Sequence, residues 1–137
     1  MAEHSIIESQ NIDVVKKAYE HFKTGDLQGL LAQFSDDISW HTPGFPKVPY
    51  AGRFRSRGEV AQFFVGLGKT AQFERFEPQE YLAREDRVVV FGFYAGLGRE
   101  TGRPFATDWA MLFTVRNGKI AAFREFFDTA NLGSAFS

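Results

Sequence analysis

The stretch FATDWAMLFTVRNGKIAAFREFFD, residues 105–128, predicts the fold class of this 137-residue chain. Apolar side chains recur at every second position on both sides of Asn117-Gly118, a period that is typical of β-strands. Asn-Gly between two apolar runs accepts the positive φ angles of a type I′ turn. The segment is therefore expected to form an antiparallel hairpin from the strands Phe105–Val115 and Ile120–Asp128.

The same period of two extends upstream of this hairpin. It predicts the strands Phe73–Arg84 and Arg87–Leu97, with chain reversals at Glu85-Asp86 and over residues 98–104. These four strands together form an expected antiparallel meander. A shorter strand, Ile38–Thr42, is predicted before a loop that holds three of the chain's five prolines.

Three amphipathic helices are predicted before the meander, because apolar residues recur there at spacings of three and four. Gly25 suits a left-handed C-cap of the first helix, and Asp26 can cap the second. The third opens with Ser56 and Glu59 in a capping box and closes at Gly68. The expected buried faces are Ile12, Val15, Tyr19 and Phe22; Leu27, Leu30, Leu31 and Phe34; and Val60, Phe63, Phe64 and Leu67. Helices followed by a meander indicate one α+β domain over residues 1–137.

The last strand predicts a partner chain. Apolar residues occupy both of its faces: Ala121, Phe123 and Phe127 on one, and Ile120, Ala122 and Phe126 on the other. An antiparallel sheet with one face in water would alternate more cleanly between apolar and polar side chains. We therefore expect a homodimer packed through the outer face of the sheet.

Composition excludes several classes of function. Sixteen basic and 17 acidic side chains give a net charge of −1, which argues against a nucleic-acid-binding surface. The absence of cysteine excludes disulfides and thiolate metal sites, and the three histidines form no close ligand pair, so we expect neither a metal nor a cofactor. The longest nearly apolar run, residues 88–97, is too short to span a bilayer. The first five residues lack the features of a secretory signal, so we expect a cytoplasmic protein without membrane contact.

Two motifs resemble a known family. The first is Tyr19-x-x-Phe22-x-x-Gly25-Asp26 with Phe34-x-Asp36-Asp37-x-x-Trp40-His41-x-Pro43, and the second is Trp109-x-x-x-Phe113-x-Val115-x-x-Gly118-Lys119-Ile120-x-x-Phe123-Arg124-Glu125-x-x-Asp128. Over about residues 9–130 the chain resembles the SnoaL-like polyketide cyclase group of the nuclear transport factor 2-like superfamily. The resemblance implies a cone, in which three helices close a strongly curved, mostly antiparallel sheet around an apolar pocket. It implies no single activity, because the superfamily includes cyclases, isomerases, epoxide hydrolases and proteins without chemistry.

The resemblance can be carried over residue by residue. In the ketosteroid isomerase branch, the three functional positions would fall near Ala18, Thr42 and Met111, none of which is ionisable as that chemistry requires, so we exclude that reaction. In the cyclase branch, the acid/base aspartate position is Glu125, while its histidine partner would fall at Met111. The cyclase pattern is therefore half present.

Glu125 is the predicted catalytic residue. Strand alternation places it with Phe123 and Phe127 on one face, while Arg124 points the opposite way. A carboxylate among aromatic side chains is desolvated, which raises its pKa toward the range useful for a general base. The alternative is a glutamate at the solvated end of the strand, or one paired with a helix residue.

The remaining candidates would shape a binding pocket. The predicted substrate-binding residues are Tyr19, Trp40, His41, Thr42, Tyr50, Phe63, Trp109, Met111 and Phe123, although alternation turns His41 away from Trp40 and Thr42 unless a bulge intervenes. Asp108 is expected to face outward, where Arg124 could pair with it. The sequence thus predicts a protein that binds an apolar cyclic or aromatic small molecule. If it is an enzyme, it is a cofactor-free cyclase or isomerase that transfers protons; the alternative is a non-enzymatic ligand-binding or dimerisation module.

Overall fold

Six strands form one sheet in the order β2-β1-β6-β5-β4-β3, and four helices accompany it among residues 4–137, which a computed structural model describes. Residues 1–3, which belong to the expected domain and to the segment assessed for a signal, lie outside the described range. The elements are α1 (Ile6–Thr24), α2 (Leu27–Ala32), β1 (Phe34–Thr42), β2 (Gly52–Arg55), α3 (Arg57–Thr70), β3 (Ala71–Arg84), β4 (Arg87–Gly98), β5 (Pro104–Arg116), β6 (Lys119–Phe127) and α4 (Thr129–Ala135). All neighbouring strands are antiparallel except β1 and β6, which are parallel. The expected α+β class and the curved, mostly antiparallel sheet are confirmed.

Local signals in the sequence account for most of the boundaries. Gly25 ends α1 with a φ of 75°, and the Asp26 side chain accepts the Gly29 N–H at the start of α2. Asn117 and Gly118 both have positive φ, as a type I′ turn requires. These three features agree with the predictions from the sequence.

Several predicted boundaries are wrong. Phe34 begins β1 instead of ending the second helix, so β1 starts before Ile38. The third helix continues through Gly68 to Thr70. Its capping box is incomplete, because the Glu59 carboxylate accepts the N–H of Arg55 instead of the Ser56 N–H, which bonds to Ile38.

Two short elements were not predicted. The strand β2 lies antiparallel to the end of β1, and the helix α4 follows β6. Asp128 therefore does not extend the last strand. Its carboxylate accepts the Asn131 N–H and caps α4, so helices accompany the sheet at both ends of the chain.

The inner face of the sheet carries the core. Buried side chains alternate along β4 and β5, and Trp109 packs against the position opposite it, Gly92. A Cβ at Gly92 would collide with the Trp109 ring, so only glycine allows this approach. Two register shifts between β3 and β4 bend the sheet further, because a bulge increases the local twist.

The outer face of the sheet is apolar and uncovered within the described chain. Its largest exposed apolar side chains are Leu82, Phe91 and Phe126, which are 41%, 42% and 45% exposed. The prediction that Ile120 lies on this face is wrong, because a register shift between β5 and β6 pairs it with Val115 and buries it.

Candidate functional site

An aromatic cavity lies between the helices and the inner face of the sheet. The atom-free space in it, with open solvent at the mouth included, is about 590 Å³. The lining side chains come from α1, α2 and α3, from the loop before β2 and from every strand except β2. They are Ala18, Tyr19, Phe22, Leu30, Phe34, Trp40, Tyr50, Phe63, Phe64, Leu67, Phe73, Phe76, Tyr94, Met111, Phe113, Phe123 and Glu125. Aromatic rings form most of the wall, which suits a flat apolar ligand.

Glu125 is the ionisable carboxyl group of this cavity. It lies on β6 opposite Met111 of β5 and is 5% exposed. Burial raises the pKa of its carboxyl from 4.5 to about 7, although a hydrogen bond from Thr42 acts in the opposite direction. Within residues 4–137 no cation pairs with it, and the neighbouring Arg124 points outward over the Phe126 ring. A carboxyl with such a pKa can both accept and donate a proton near neutral pH.

Thr42 holds one oxygen of this carboxyl. Its hydroxyl donates to Glu125 Oε1 over 2.8 Å, and the threonine is 1% exposed. The parallel pairing of β1 with β6, which places Trp40 beside Phe123, brings these two polar residues together. The bond from Thr42 is the one hydrogen bond found for the Glu125 carboxyl within residues 4–137, so Oε2 remains available to a ligand.

Three tyrosines, Tyr19, Tyr50 and Tyr94, line the same cavity as Glu125. Burial raises the pKa of each phenol, and the negative charge of Glu125 raises it further. The Tyr19 hydroxyl donates to Met111 Sδ over 3.1 Å, a weak acceptor. Sequence reasoning missed Tyr94, although its alternation with the buried Val88 and Val90 on β4 was a usable signal.

Stacked rings form the floor of the cavity beside Glu125. The Trp40 and Phe123 rings lie face to face, with centroids 3.7 Å apart and an interplanar angle of 22°. The Phe63 ring also packs against Trp40, with a centroid distance of 5.3 Å and an interplanar angle of 50°. These contacts hold both rings in a fixed plane.

Six of the nine predicted substrate-binding residues line the cavity, and three do not. Trp109 lies behind the wall, with its ring centroid 6.1 Å from Tyr19 and 6.0 Å from Tyr94. Thr42 reaches the cavity through its bond to Glu125. The lining residues of the predicted set are Tyr19, Trp40, Tyr50, Phe63, Met111 and Phe123.

His41 lies on the opposite face of β1 from the cavity. It pairs in register with Arg53 of β2 and with Arg124 of β6. Partial burial lowers the pKa of the imidazole, and the two neighbouring guanidinium groups lower it further. This environment favours a neutral histidine on the outer face, away from Glu125.

The part of the chain that the structure describes contains no cluster of three or more histidine, aspartate or glutamate side chains that could hold a metal ion. Among the same residues, no helix has both the length and the apolar composition needed to cross a bilayer.

Comparison with known proteins gives one family match and many similar folds. A family model for the SnoaL-like domain matches residues 15–123. An NTF2-like protein from Burkholderia xenovorans LB400 is 34% identical, with a TM-score of 0.87 over 95% of this chain and 98% of that one. An NTF2-like protein of unknown function from Burkholderia pseudomallei K96243 is 26% identical, with a TM-score of 0.85 over 93% and 98% of the two chains. TerC, crystallised together with polyporic acid, is 25% identical in sequence, with a TM-score of 0.83 over 93% of this chain and 98% of that one. No curated protein sequence matches this chain.

Proposed function

Because the chain belongs to the SnoaL-like domain family, as its two motifs predict, we propose that it binds a neutral aromatic or cyclic small molecule and that Glu125 exchanges a proton with it. The observation that carries this proposal is a carboxyl group with a pKa raised to about 7 at the wall of an aromatic cavity. Such a group is a general acid and base that needs no cofactor.

The chemistry that this carboxyl can perform is proton transfer next to a carbonyl group. The Glu125 carboxylate takes a proton from the carbon beside the ligand's carbonyl, which leaves an enolate and a neutral carboxylic acid. Isomerisation follows when the acid returns the proton to another carbon. Cyclisation follows when the enolate carbon forms a bond to a second carbonyl carbon of the same molecule, whose oxygen then takes the proton from Glu125.

A structural relative supports a small organic ligand. TerC, which is 25% identical to this chain, has been co-crystallised with polyporic acid. Among residues 4–137, no lysine, arginine or histidine lines the cavity described here, so a ligand that remains neutral in the cavity is favoured.

A second candidate function is ligand binding without chemistry. Met111 stands where the resemblance places the histidine partner of the cyclase group. Among the described residues that line the cavity, Glu125 is the one with a carboxyl group, and it has no histidine beside it there. This observation favours a carrier, because a cyclase of that pattern would use two polar groups.

One experiment separates the two functions. The probe is 2-tetralone, a neutral bicyclic aromatic ketone with acidic hydrogens next to its carbonyl. Binding is followed by tryptophan fluorescence, and exchange of the acidic hydrogens with deuterated water is followed by proton NMR. The enzyme function predicts binding together with exchange faster than in buffer. Glu125→Gln should then retain binding and lose roughly 10²–10⁴-fold in exchange rate.

The control variant is Glu100→Gln, which makes the same chemical change at an exposed turn. It should match the wild-type chain in both measurements. Binding without accelerated exchange would support the carrier function, and the absence of binding by a panel of neutral aromatic ketones would contradict both functions.

We also propose that two copies pair through the outer face of the sheet. The exposed Phe91 and Phe126 would be covered by the partner. Basic Arg53 and Arg124 lie toward the β2 edge of this face, and β3 at the opposite edge carries charges of both signs. The exposed apolar side chains are therefore what supports a second copy as the occupant.

A further inference from the structure

Thr42 contacts the Glu125 carboxyl group, yet the proton transfer proposed above gives it no role. Its hydroxyl lies 2.8 Å from Glu125 Oε1 and donates to it. The two residues are 1% and 5% exposed, so neither can readily exchange this bond for one to bulk water. A hydrogen bond to a charged group is stronger than one between neutral groups, and burial strengthens it further. The contact therefore affects how readily Glu125 ionises.

The sheet holds the two residues side by side. His41 of β1 is in register with Arg124 of β6, and the next position along each of these parallel strands is Thr42 and Glu125. On the other side of β6, Glu125 lies opposite Met111 of β5. Threonine is β-branched, so few χ1 rotamers are open to it and the strand sets the direction of its hydroxyl. The carboxyl group is thus held at Oε1 by a stiff neighbour.

The hydrogen bond makes the two carboxyl oxygens of Glu125 different. Oε1 accepts the hydroxyl hydrogen of Thr42, which is the one hydrogen that this side chain can donate. A proton on Oε1 would make that oxygen a poor acceptor, whereas a proton on Oε2 leaves the bond in place. The neutral acid therefore carries its proton on Oε2, and Oε2 is the oxygen that takes a proton from a ligand and returns it.

The described residues that line the cavity present no other charge to Glu125. Their remaining titratable side chains are Tyr19 on α1, Tyr50 in the loop before β2 and Tyr94 on β4, and the other lining elements contribute side chains that do not ionise. Burial raises the pKa of each phenol, so all three stay neutral near pH 7. The Thr42 bond is therefore what favours the ionised carboxyl, whereas burial raises its pKa to about 7.

We propose that Thr42 is a positioning residue, whose hydrogen bond orients the Glu125 carboxyl so that Oε2 exchanges the proton with the ligand and favours the carboxylate over the neutral acid. This inference rests on the proposed function, because it states how the same carboxyl group is prepared for proton exchange. Without the hydroxyl, the carboxyl would be free to rotate and harder to ionise. Both effects can be measured, and the second needs no ligand.

Two substitutions at Thr42 should give different results. Thr42→Val replaces the hydroxyl by a methyl group of similar size, and Thr42→Ser keeps the hydroxyl. Carbon-13 NMR of a chain labelled at its glutamate side chains follows the ionisation of Glu125 in the absence of any ligand. The Glu125 midpoint should rise by about one pH unit in Thr42→Val and remain at about 7 in Thr42→Ser.

Exchange of the acidic hydrogens of 2-tetralone gives the second readout, after subtraction of the rate in buffer. The midpoint of its pH profile should rise in Thr42→Val by the same amount as the carbon-13 midpoint. The maximal rate should fall about tenfold although the carboxylate is then a stronger base, because the carboxyl is no longer held in its productive orientation. The dissociation constant of 2-tetralone should not change, and Thr42→Ser should behave as wild type.

Thr107→Val is the matched control. It makes the same chemical change at a buried threonine of β5, whose hydroxyl donates to the Asp108 carbonyl and accepts the Asp128 N–H instead of touching Glu125. Both midpoints and the maximal exchange rate should equal those of wild type. This variant reports what the loss of a buried hydroxyl does through the sheet alone.

The possible failures are distinguishable. An unchanged carbon-13 midpoint in Thr42→Val, or an equal rise in Thr107→Val, would overturn the role of Thr42 and leave the proposed function intact. A maximal exchange rate that rises in Thr42→Val would overturn the orienting role of the bond. A wild-type chain that binds 2-tetralone without accelerating exchange would overturn the proton exchange at Oε2 together with the proposed enzymatic function, whatever the carbon-13 midpoints are.

Discussion

Replacing Glu125 by glutamine should change how folding stability depends on pH. The folded chain holds the Glu125 proton more tightly than the unfolded chain, because burial raises the pKa from 4.5 to about 7. Below the pKa of the unfolded chain, Glu125 is protonated in both states, and its ionisation does not lower the free energy of unfolding. Between the two pKa values Glu125 is ionised in the unfolded chain and still protonated in the folded chain, so the free energy of unfolding falls as the pH rises. Above the pKa of the folded chain this loss of stability is complete, at about 3 kcal/mol.

Glutamine is the matched replacement because it keeps the local contacts. Its amide oxygen can still accept the bond that Thr42 now donates to Glu125 over 2.8 Å. The variant has no proton to lose, so its stability lacks the penalty at all pH values. The difference in free energy of unfolding, wild type minus Glu125→Gln, should therefore fall by about 3 kcal/mol between about pH 4 and pH 8.

Urea unfolding followed by tryptophan fluorescence measures this difference at a fixed protein concentration. Subtracting the variant removes the contribution of all other titrating groups that the substitution does not disturb. Glu100→Gln is the control, and its difference from wild type should be flat, since the exposed side chain is solvated in both states. If the difference in free energy of unfolding between wild type and Glu125→Gln also does not change with pH, the claim that burial raises the pKa of Glu125 is refuted.

Three further predictions concern the core, the site and the outer face. Gly92→Ala should lower the free energy of unfolding by about 1–3 kcal/mol, because the new Cβ meets the Trp109 ring; an unchanged thermal midpoint would show that the sheet can relax there. Glu125→Leu should lower the free energy of unfolding at low pH, because the Thr42 hydroxyl loses its partner, and adding Thr42→Val should restore that free energy. At about pH 8 the double variant should unfold at no lower urea concentration than wild type. Wild type should sediment at about twice 15.5 kDa, and Ala122→Asp on the outer face should halve that mass; equal masses for the two chains would argue against pairing through this face.

The features that the sequence predicts well are local ones. The alternation within β4, β5 and β6, the turn at Asn117 and the cap at Gly25 each depend on a few neighbouring residues. The Glu125 side chain faces inward for the same reason, because alternation decides its direction once β6 is recognised. Short elements are harder to detect. The four residues of β2 are too few to show a period.

The features that the sequence does not predict depend on packing between distant segments. Thr42 and Glu125 are 83 positions apart, and only the parallel pairing of β1 with β6 brings them together. The burial of Ile120 depends on a register shift that alternation cannot reveal. Phe34 illustrates the same limit, since its spacing fits a helix while its pairing with β6 makes it a strand residue.

The most direct measurement of the central claim is a carboxyl titration by carbon-13 NMR of the chain labelled at its glutamate side chains. The account predicts one glutamate resonance with a midpoint at about 7, which is missing in Glu125→Gln and which moves when 2-tetralone is added. A labelled chain in which every glutamate titrates near the ordinary value of about 4.3 would contradict the account, because no buried general base would then be present.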